Sequence, residues 1–157
     1  MSIDEMTFRQ AMSRFASGVT VVTTRYQDRL YGITVSSFCS LSLEPRLVLI
    51  CIEKTTPSHQ GISGAGFFAV NILARDQEAI SRRFAAPLTN KFDGMSYHFG
   101  QTGAPILEGC LANIECRITE ALPGGDHTIF VGEVLTATIH EGEPLLYYRS
   151  SYHHLGT

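Results

Sequence analysis

Short runs of β-branched and apolar residues, joined by polar connections of only a few residues, constrain this chain more than any other feature. Val19 to Thr24, Leu30 to Val35, Leu47 to Ile52, Phe67 to Ile72, Thr128 to Ile139 and Leu145 to Tyr148 are such runs. Residues of this type suit a pleated, half-buried backbone. Ile114, Cys116 and Ile118 add a further strand by alternating with Asn113, Glu115, Arg117 and Thr119. Six or seven strands thus stand against two helices, and strand and helix do not alternate regularly. A doubly wound parallel sheet is therefore excluded. The pattern predicts a mainly β, antiparallel fold with peripheral helices, best met by a small barrel that hides its edges by closure.

Local signals refine this outline. Thr7-Phe8-Arg9-Gln10 fits a capping box with Thr7 as N-cap, and Phe8, Ala11, Met12 and Phe15 follow at helical spacing up to a left-handed cap at Gly18. Tyr26 to Arg29 turns a hairpin. The unbroken run Leu47 to Ile52 predicts a strand buried on both faces. Gly61 to Gly66 has the wrong spacing for a dinucleotide fingerprint and reads as a loop before a strand. Asp76 to Phe84 reads as a helix with Ala79, Ile80 and Phe84 inward and Arg82 and Arg83 towards solvent. Residues 85 to 105, rich in Gly, Pro, Asn and Asp, read as loop, and Gly132 marks a bulge.

Composition narrows the function. A length of 157 residues predicts one domain, residues 1–157, without repeats or linkers. Charged residues make up 17% of the chain, below the usual ~25%, which leaves surface for a ligand or a partner subunit. The formal net charge is -3 and no basic cluster exceeds Arg82-Arg83, so a phosphate-neutralising face for nucleic acid is missing. Cys39, Cys51, Cys110 and Cys116 lack C-x-x-C spacing and read as small buried hydrophobes. No secretory leader pattern opens the chain and no apolar run reaches the ~18 residues of a membrane span, so a cytoplasmic protein with reduced thiols is expected. His153-His154 would point to opposite faces of a strand, and no metal site is expected.

Signatures of hydrolysis and phosphate-loop chemistry are absent. Three segments remain. Thr34, Ser36, Ser37, Ser40 and Ser42 crowd short donors and acceptors at a strand end, suited to a flat polar-edged ligand or to an ordinary polar loop. Glu53, Lys54, Thr55 and Thr56 follow the most apolar strand and offer one point charge with several hydroxyls for a phosphate, or a solvated turn. His127 starts a strand after Gly125-Asp126, where the acid can raise its pKa or fix its orientation.

Taken in order, these segments resemble the flavin reductase family, the small reductase components of two-component monooxygenases of the 4-hydroxyphenylacetate and phenol hydroxylase type. The resemblance runs from Phe8-Arg9-Gln10-Ala11-Met12 and Gly18 to Thr24 through Gly32 to Phe38, Phe68 to Leu73, Phe84-Ala85, Lys91-Phe92 and Leu111 to Cys116 to Gly125 to Val134. It implies an FMN-binding split β-barrel that forms a homodimer, with FMN or FAD near the subunit interface and NADH or NADPH as hydride donor. By that resemblance Thr34, Val35, Ser36 and Ser37 meet the isoalloxazine edge. Cys51, Glu53, Lys54, Thr55 and Thr56 run along the ribityl chain and phosphate. Asn71, Arg83 and Phe84 lie close to the same pocket. His127, with Phe92 and Tyr152, stands on the nicotinamide side and orients or complements the charge of the dinucleotide. Hydride passes between the two cofactors, so no nucleophile or metal is needed, and free reduced flavin reaches a partner monooxygenase. Glu53 departs from the family's Asn- or Ser-rich loop, and a carboxylate beside a phosphate is unfavourable. The rival reading is a flavin-binding electron carrier or sensor on the same barrel that does not turn over NAD(P)H.

Overall fold

The computed structural model describes residues 1–156. Among them the chain forms α1 (Glu5–Met12), β1 (Ser17–Gly18), β2 (Thr20–Tyr26), β3 (Arg29–Val35), β4 (Phe38–Ser42) and β5 (Leu47–Glu53). There follow α2 (Pro57–Ala65), β6 (Phe67–Ile72), α3 (Glu78–Ala85), β7 (Tyr97–Phe99) and β8 (Pro105–Leu107). The remainder is β9 (Ala112–Gly124), β10 (His127–Ile139), β11 (Leu146–Tyr148) and β12 (Ser151–His153). Seven strands make one sheet in the order β3-β2-β6-β9-β10-β5-β4, and all its pairings are antiparallel.

The sheet has one continuous apolar inner face. Val22, Val35, Val48, Ile50, Phe68, Val70 and Phe130 pack there with Ile62 of α2. These side chains come from both halves of the strand order, and β3 touches β5 without pairing to it. The sheet therefore curls until its two ends share one core. A second cluster lies on the outer side of β2, where Val19 and Val21 meet Leu73, Phe84, Leu107 and Leu145. It anchors α3 through Phe84.

Several expectations are corrected. In α1 the N-cap is Asp4: its carboxylate accepts the Thr7 backbone N–H at 2.8 Å and the Thr7 hydroxyl at 2.7 Å. A charged acceptor at the right offset outcompetes the hydroxyl, which sits inside the helix instead. The helix closes at Ser13, and Gly18 lies in β1. Phe8, Met12 and Phe15 are more than half exposed, because none of the described residues covers that face. β5 alternates, with Val48, Ile50 and Ile52 buried and Leu47, Leu49 and Cys51 half-buried, since only one side meets the core.

Gly61 to Gly66 is mostly helix, not loop. Thr56 caps α2, Pro57 occupies its first turn, and Gly66 closes it in the left-handed region at φ 75°. Gly61 is needed because a Cβ there would stand 2.5 Å from the Tyr31 ring. In α3 Ser81 and Phe84 are buried and Ile80 packs against the second cluster, while Ala79 is exposed. Asn113 and Glu115 are buried because the β7–β8 hairpin covers them; Glu115 accepts the backbone N–H and the hydroxyl of Thr102 at 2.8 and 2.7 Å. The bulge at Gly132 is present as a register shift between Val131 and Gly132.

Candidate functional site: a cleft along a free sheet edge

β3 pairs with β2 on one side only. Its hairpin turns through Gln27 and Asp28, both at positive φ, with Tyr26 opposite Arg29. In such a hairpin the turn-flanking pair is hydrogen-bonded, so Arg29, Tyr31, Ile33 and Val35 direct their amides to β2. Leu30, Gly32 and Thr34 then direct theirs to the open edge. The Gly32 carbonyl confirms this parity, for it accepts a bond from outside the sheet, from Lys91 Nζ at 3.0 Å.

A cleft of about 290 Å³ runs along that edge. One wall is the turn into α2, with Thr55, Thr56 and Ser58. The other is the end of α3 and the segment after it, with Phe84, Lys91 and Phe92. The floor is tight. Phe84 is fully buried and meets Phe92 edge-on at 5.1 Å. A Cβ at Gly32 would lie 2.5 Å from the Phe84 ring and 3.1 Å from Phe92, so only glycine lets the strand pass beneath both.

The expected site residues divide into groups. Thr34 donates its hydroxyl to the Ser81 carbonyl at 2.6 Å, and Ser81 Oγ meets the Tyr152 hydroxyl at 2.6 Å. Arg82 lies 4.8 Å over the Tyr152 ring. Thr34 and Tyr152 are thereby brought together on α3. Val35 is a core residue, and its backbone is engaged by β2, its carbonyl accepting the Thr20 hydroxyl at 2.7 Å. Ser36 is exposed, and Ser37 donates its hydroxyl to the Cys51 carbonyl at 3.0 Å while accepting the Cys51 N–H at 3.1 Å. Burial pushes the Cys51 thiol up, with the Cys39 thiol adding to it.

Thr55, Thr56, Phe84 and Phe92 line the cleft. The Thr56 hydroxyl is already committed, donating to the Glu53 carbonyl at 2.8 Å and accepting the His59 N–H at 3.3 Å. Asn71 is corrected from cofactor contact to core polar node. It is fully buried; its amide donates to the Val21 carbonyl and Thr23 hydroxyl, and its oxygen accepts from Leu107 N and Asn113 Nδ2. Arg83 is only partly exposed, because its guanidinium folds back and donates to the carbonyls of Lys91, Asn90 and Asp93.

Glu53, Lys54 and His127 form a separate corner. His127 pairs with Glu53 across β10 and β5, so their side chains share a face, and Lys54 N–H donates to the Asp126 carbonyl at 3.0 Å. His127 Nδ1 lies 2.7 Å from Asp126 Oδ1. An ionised carboxylate only accepts, so Nδ1 carries the proton and Nε2 is presented outward. That hydrogen bond and the imidazole charge hold the Asp126 carboxyl below its usual range, with Lys54 adding to it.

Lys91 was not among the expected site residues. Its ammonium is half-buried, donates to the carbonyls of Gly32 and Phe84 at 3.0 and 2.9 Å, and is pushed down in pKa by burial. The one trace in the sequence is a lone lysine beside an aromatic in a segment of small and polar residues.

Residues 12–156 match the flavin reductase like domain. The chain belongs to that family. It is 40% identical over 153 residues to the reductase subunit HsaB of a flavin-dependent monooxygenase from Mycobacterium tuberculosis, covering 96% of this chain and 82% of that one. It is 42% identical over 140 residues to the NADH-dependent FMN reductase SmoA of Agrobacterium fabrum, covering 89% and 80%. Among solved structures, the NADH:FAD oxidoreductase SgcE6 of Streptomyces globisporus, in complex with NAD and FAD fragments, superposes with a TM-score of 0.94 at 39% identity. That match covers 98% of this chain and 93% of the other.

Proposed function

We propose that this chain is an NAD(P)H:flavin oxidoreductase that passes hydride from reduced nicotinamide to FMN or FAD and supplies free reduced flavin to a partner monooxygenase. The carrying observation is the open edge of β3 beneath an aromatic-walled cleft. Outward amides at Leu30, Gly32 and Thr34 offer a row of backbone donors, and a flat ring with a polar edge is the ligand such a row fits. Thr55 and the first turn of α2 at the same cleft suit a phosphate. The donor set and the aromatic walls therefore fit a flavin. Its relatives named above as NADH-dependent reductases support the same reading.

When bound, the flavin supplies the ring that accepts the hydride. The chain supplies position and charge. β3 donors stabilise negative charge on a ring edge, acting without reorganisation because the strand is fixed. Phe84 and Phe92 exclude water from the cleft floor. His127, oriented by Asp126, presents Nε2 to the dinucleotide, and Tyr152 stays tied to α3 through Ser81. Glu53 pairs with His127 across β5 and β10, and it is not among the residues that line the cleft with Thr55.

The curled sheet, with β3 touching β5 without pairing to it, supports reading the fold as a split β-barrel. The chain works as a homodimer: the uncovered apolar face of α1 and the half-buried outer face of β5 are surface for a second copy. Its free cysteines fit the cytoplasm. Rapid-mixing measurements of NADH and NADPH oxidation with FMN and FAD in turn test the activity. Fast oxidation that requires added flavin is expected; no oxidation in any of the four pairings overturns the reading. Sedimentation at dilute concentration tests the dimer.

A further inference from the structure

Arg83 and Lys91 form none of the ion pairs found among the described residues. Both direct their charge to backbone carbonyls instead. Arg83, on α3, donates Nε to Lys91 O at 2.6 Å and Nη2 to Asn90 O and Asp93 O at 2.8 and 3.0 Å. Lys91, in the segment so held, returns its ammonium to Phe84 O at the end of α3 and to Gly32 O on the edge of β3. The two side chains therefore cross: each secures backbone on the element that carries the other.

Residues 86–93 have no helix or strand of their own. Local backbone turns such as Asp93 N–H to Asn90 O at 3.1 Å shape the segment, and it is held against the fold by these charge-assisted bonds and by Phe92, which packs edge-on against Phe84 and, at 5.5 Å, against Tyr97. A half-buried ammonium without a carboxylate costs desolvation, which a purely structural staple could avoid with an apolar side chain. The cation is retained where a strand edge must be filled selectively. Lys91 occupies the outward acceptor at Gly32 and leaves the outward N–H donors of β3 free. It also blunts the edge against pairing with another strand.

We propose that Arg83 and Lys91 are positioning residues that clasp residues 86–93 against β3, pre-forming the outer wall of the flavin cleft and capping the outward carbonyl at Gly32 on its open edge. The proposal rests on the reading of the cleft as the flavin site. Neither residue touches the reacting atoms. Their effect falls on flavin affinity, because ordering the wall before the ligand arrives removes that cost from binding.

The test is Lys91→Met, which keeps the stem and deletes the donors, with Lys91→Arg as rescue. Flavin affinity by fluorescence titration, steady-state kinetics and amide hydrogen exchange are read together. Lys91→Met is expected to weaken FMN binding about tenfold or more and to speed exchange across residues 86–95. At saturating flavin, kcat and the KM for NADH change less than about twofold, since the clasp acts before chemistry. Lys91→Arg recovers most of the affinity. Arg83→Lys, which keeps the charge but cannot span three carbonyls, reproduces the loss independently if Lys91→Met folds poorly. Faster exchange with unchanged FMN affinity overturns the clasp. Weaker affinity with unchanged exchange also overturns it, by making Lys91 a direct ligand. No flavin binding by the unmodified protein overturns the reading of the cleft itself.

Discussion

The cleft along β3 and the turn at His127 are built by opposite means. In the cleft, Gly32 lies beneath a fully buried Phe84, two cations hold the wall, and every closing side chain has packing or hydrogen bonds behind it. At the turn, His127 and Asp126 are 40% and 85% exposed in their side chains and are joined to each other by one hydrogen bond. The first is a mould and the second an arm. A flat ring bound by shape needs its walls in place beforehand, whereas a donor that must arrive and leave each turnover is served by a group free to meet it.

Filling the mould gives the largest effect. Gly32→Val puts a side chain into the Phe84 and Phe92 rings, and a buried ring cannot withdraw. Stability is expected to fall by about 1–3 kcal/mol, with flavin affinity down about a hundredfold or more. Thermal melts and flavin titration check this, and a near-native melting temperature with near-native affinity would break the mould half of the comparison.

The arm predicts a one-sided loss. His127→Ala raises the KM for NADH about tenfold, while the Kd for flavin moves less than about threefold. Equal losses in both would erase the distinction between the two regions. Thr34→Val comes next: it removes the hydroxyl bond to Ser81 that joins β3 to α3, costing about 1 kcal/mol of stability in denaturant titration. An unchanged midpoint would show that α3 is held by Phe84 alone.

The smallest effects separate the regions by pH. Asp126 ionises below its unfolded value of 3.8. Its contribution is complete above pH 3.8 and fades as pH falls through the lower folded value, so acid releases the arm while the mould persists. Cys110, packed in the cluster beneath the cleft, is pushed by burial from 9.0 up to about 11. The unfolded chain loses that proton first, so stability declines from pH 9 towards 11. Melting curves across this range test it: Cys110→Ala is expected to flatten part of the alkaline decline, and an unchanged slope contradicts it.

Sheet strands were readable wherever β-branched runs meet turn residues, as in β2, β3 and β6, because those signals are local. α2 was not, since Gly61, Ser63 and Gly64 are poor helix formers taken singly. Its helicity comes from the Thr56 cap, Pro57 in the first turn and close contact with Tyr31. Of the residues expected at the site, Thr55, Thr56, Phe84 and Phe92 line one cleft. Asn71 was misread because a buried amide and a ligand-binding amide look alike in sequence. Lys91 escaped, and Arg83 was expected at the pocket without its clasping bonds, because their partners are backbone carbonyls, which leave no mark on residue type.

Amide hydrogen exchange of residues 29–37, with and without saturating FMN, tests the placement of flavin on the open edge most directly. Strong protection of the outward amides at Leu30, Gly32 and Thr34 is expected, with a smaller change at residues 126–128. Protection confined to the His127 turn, with β3 unchanged, would contradict it.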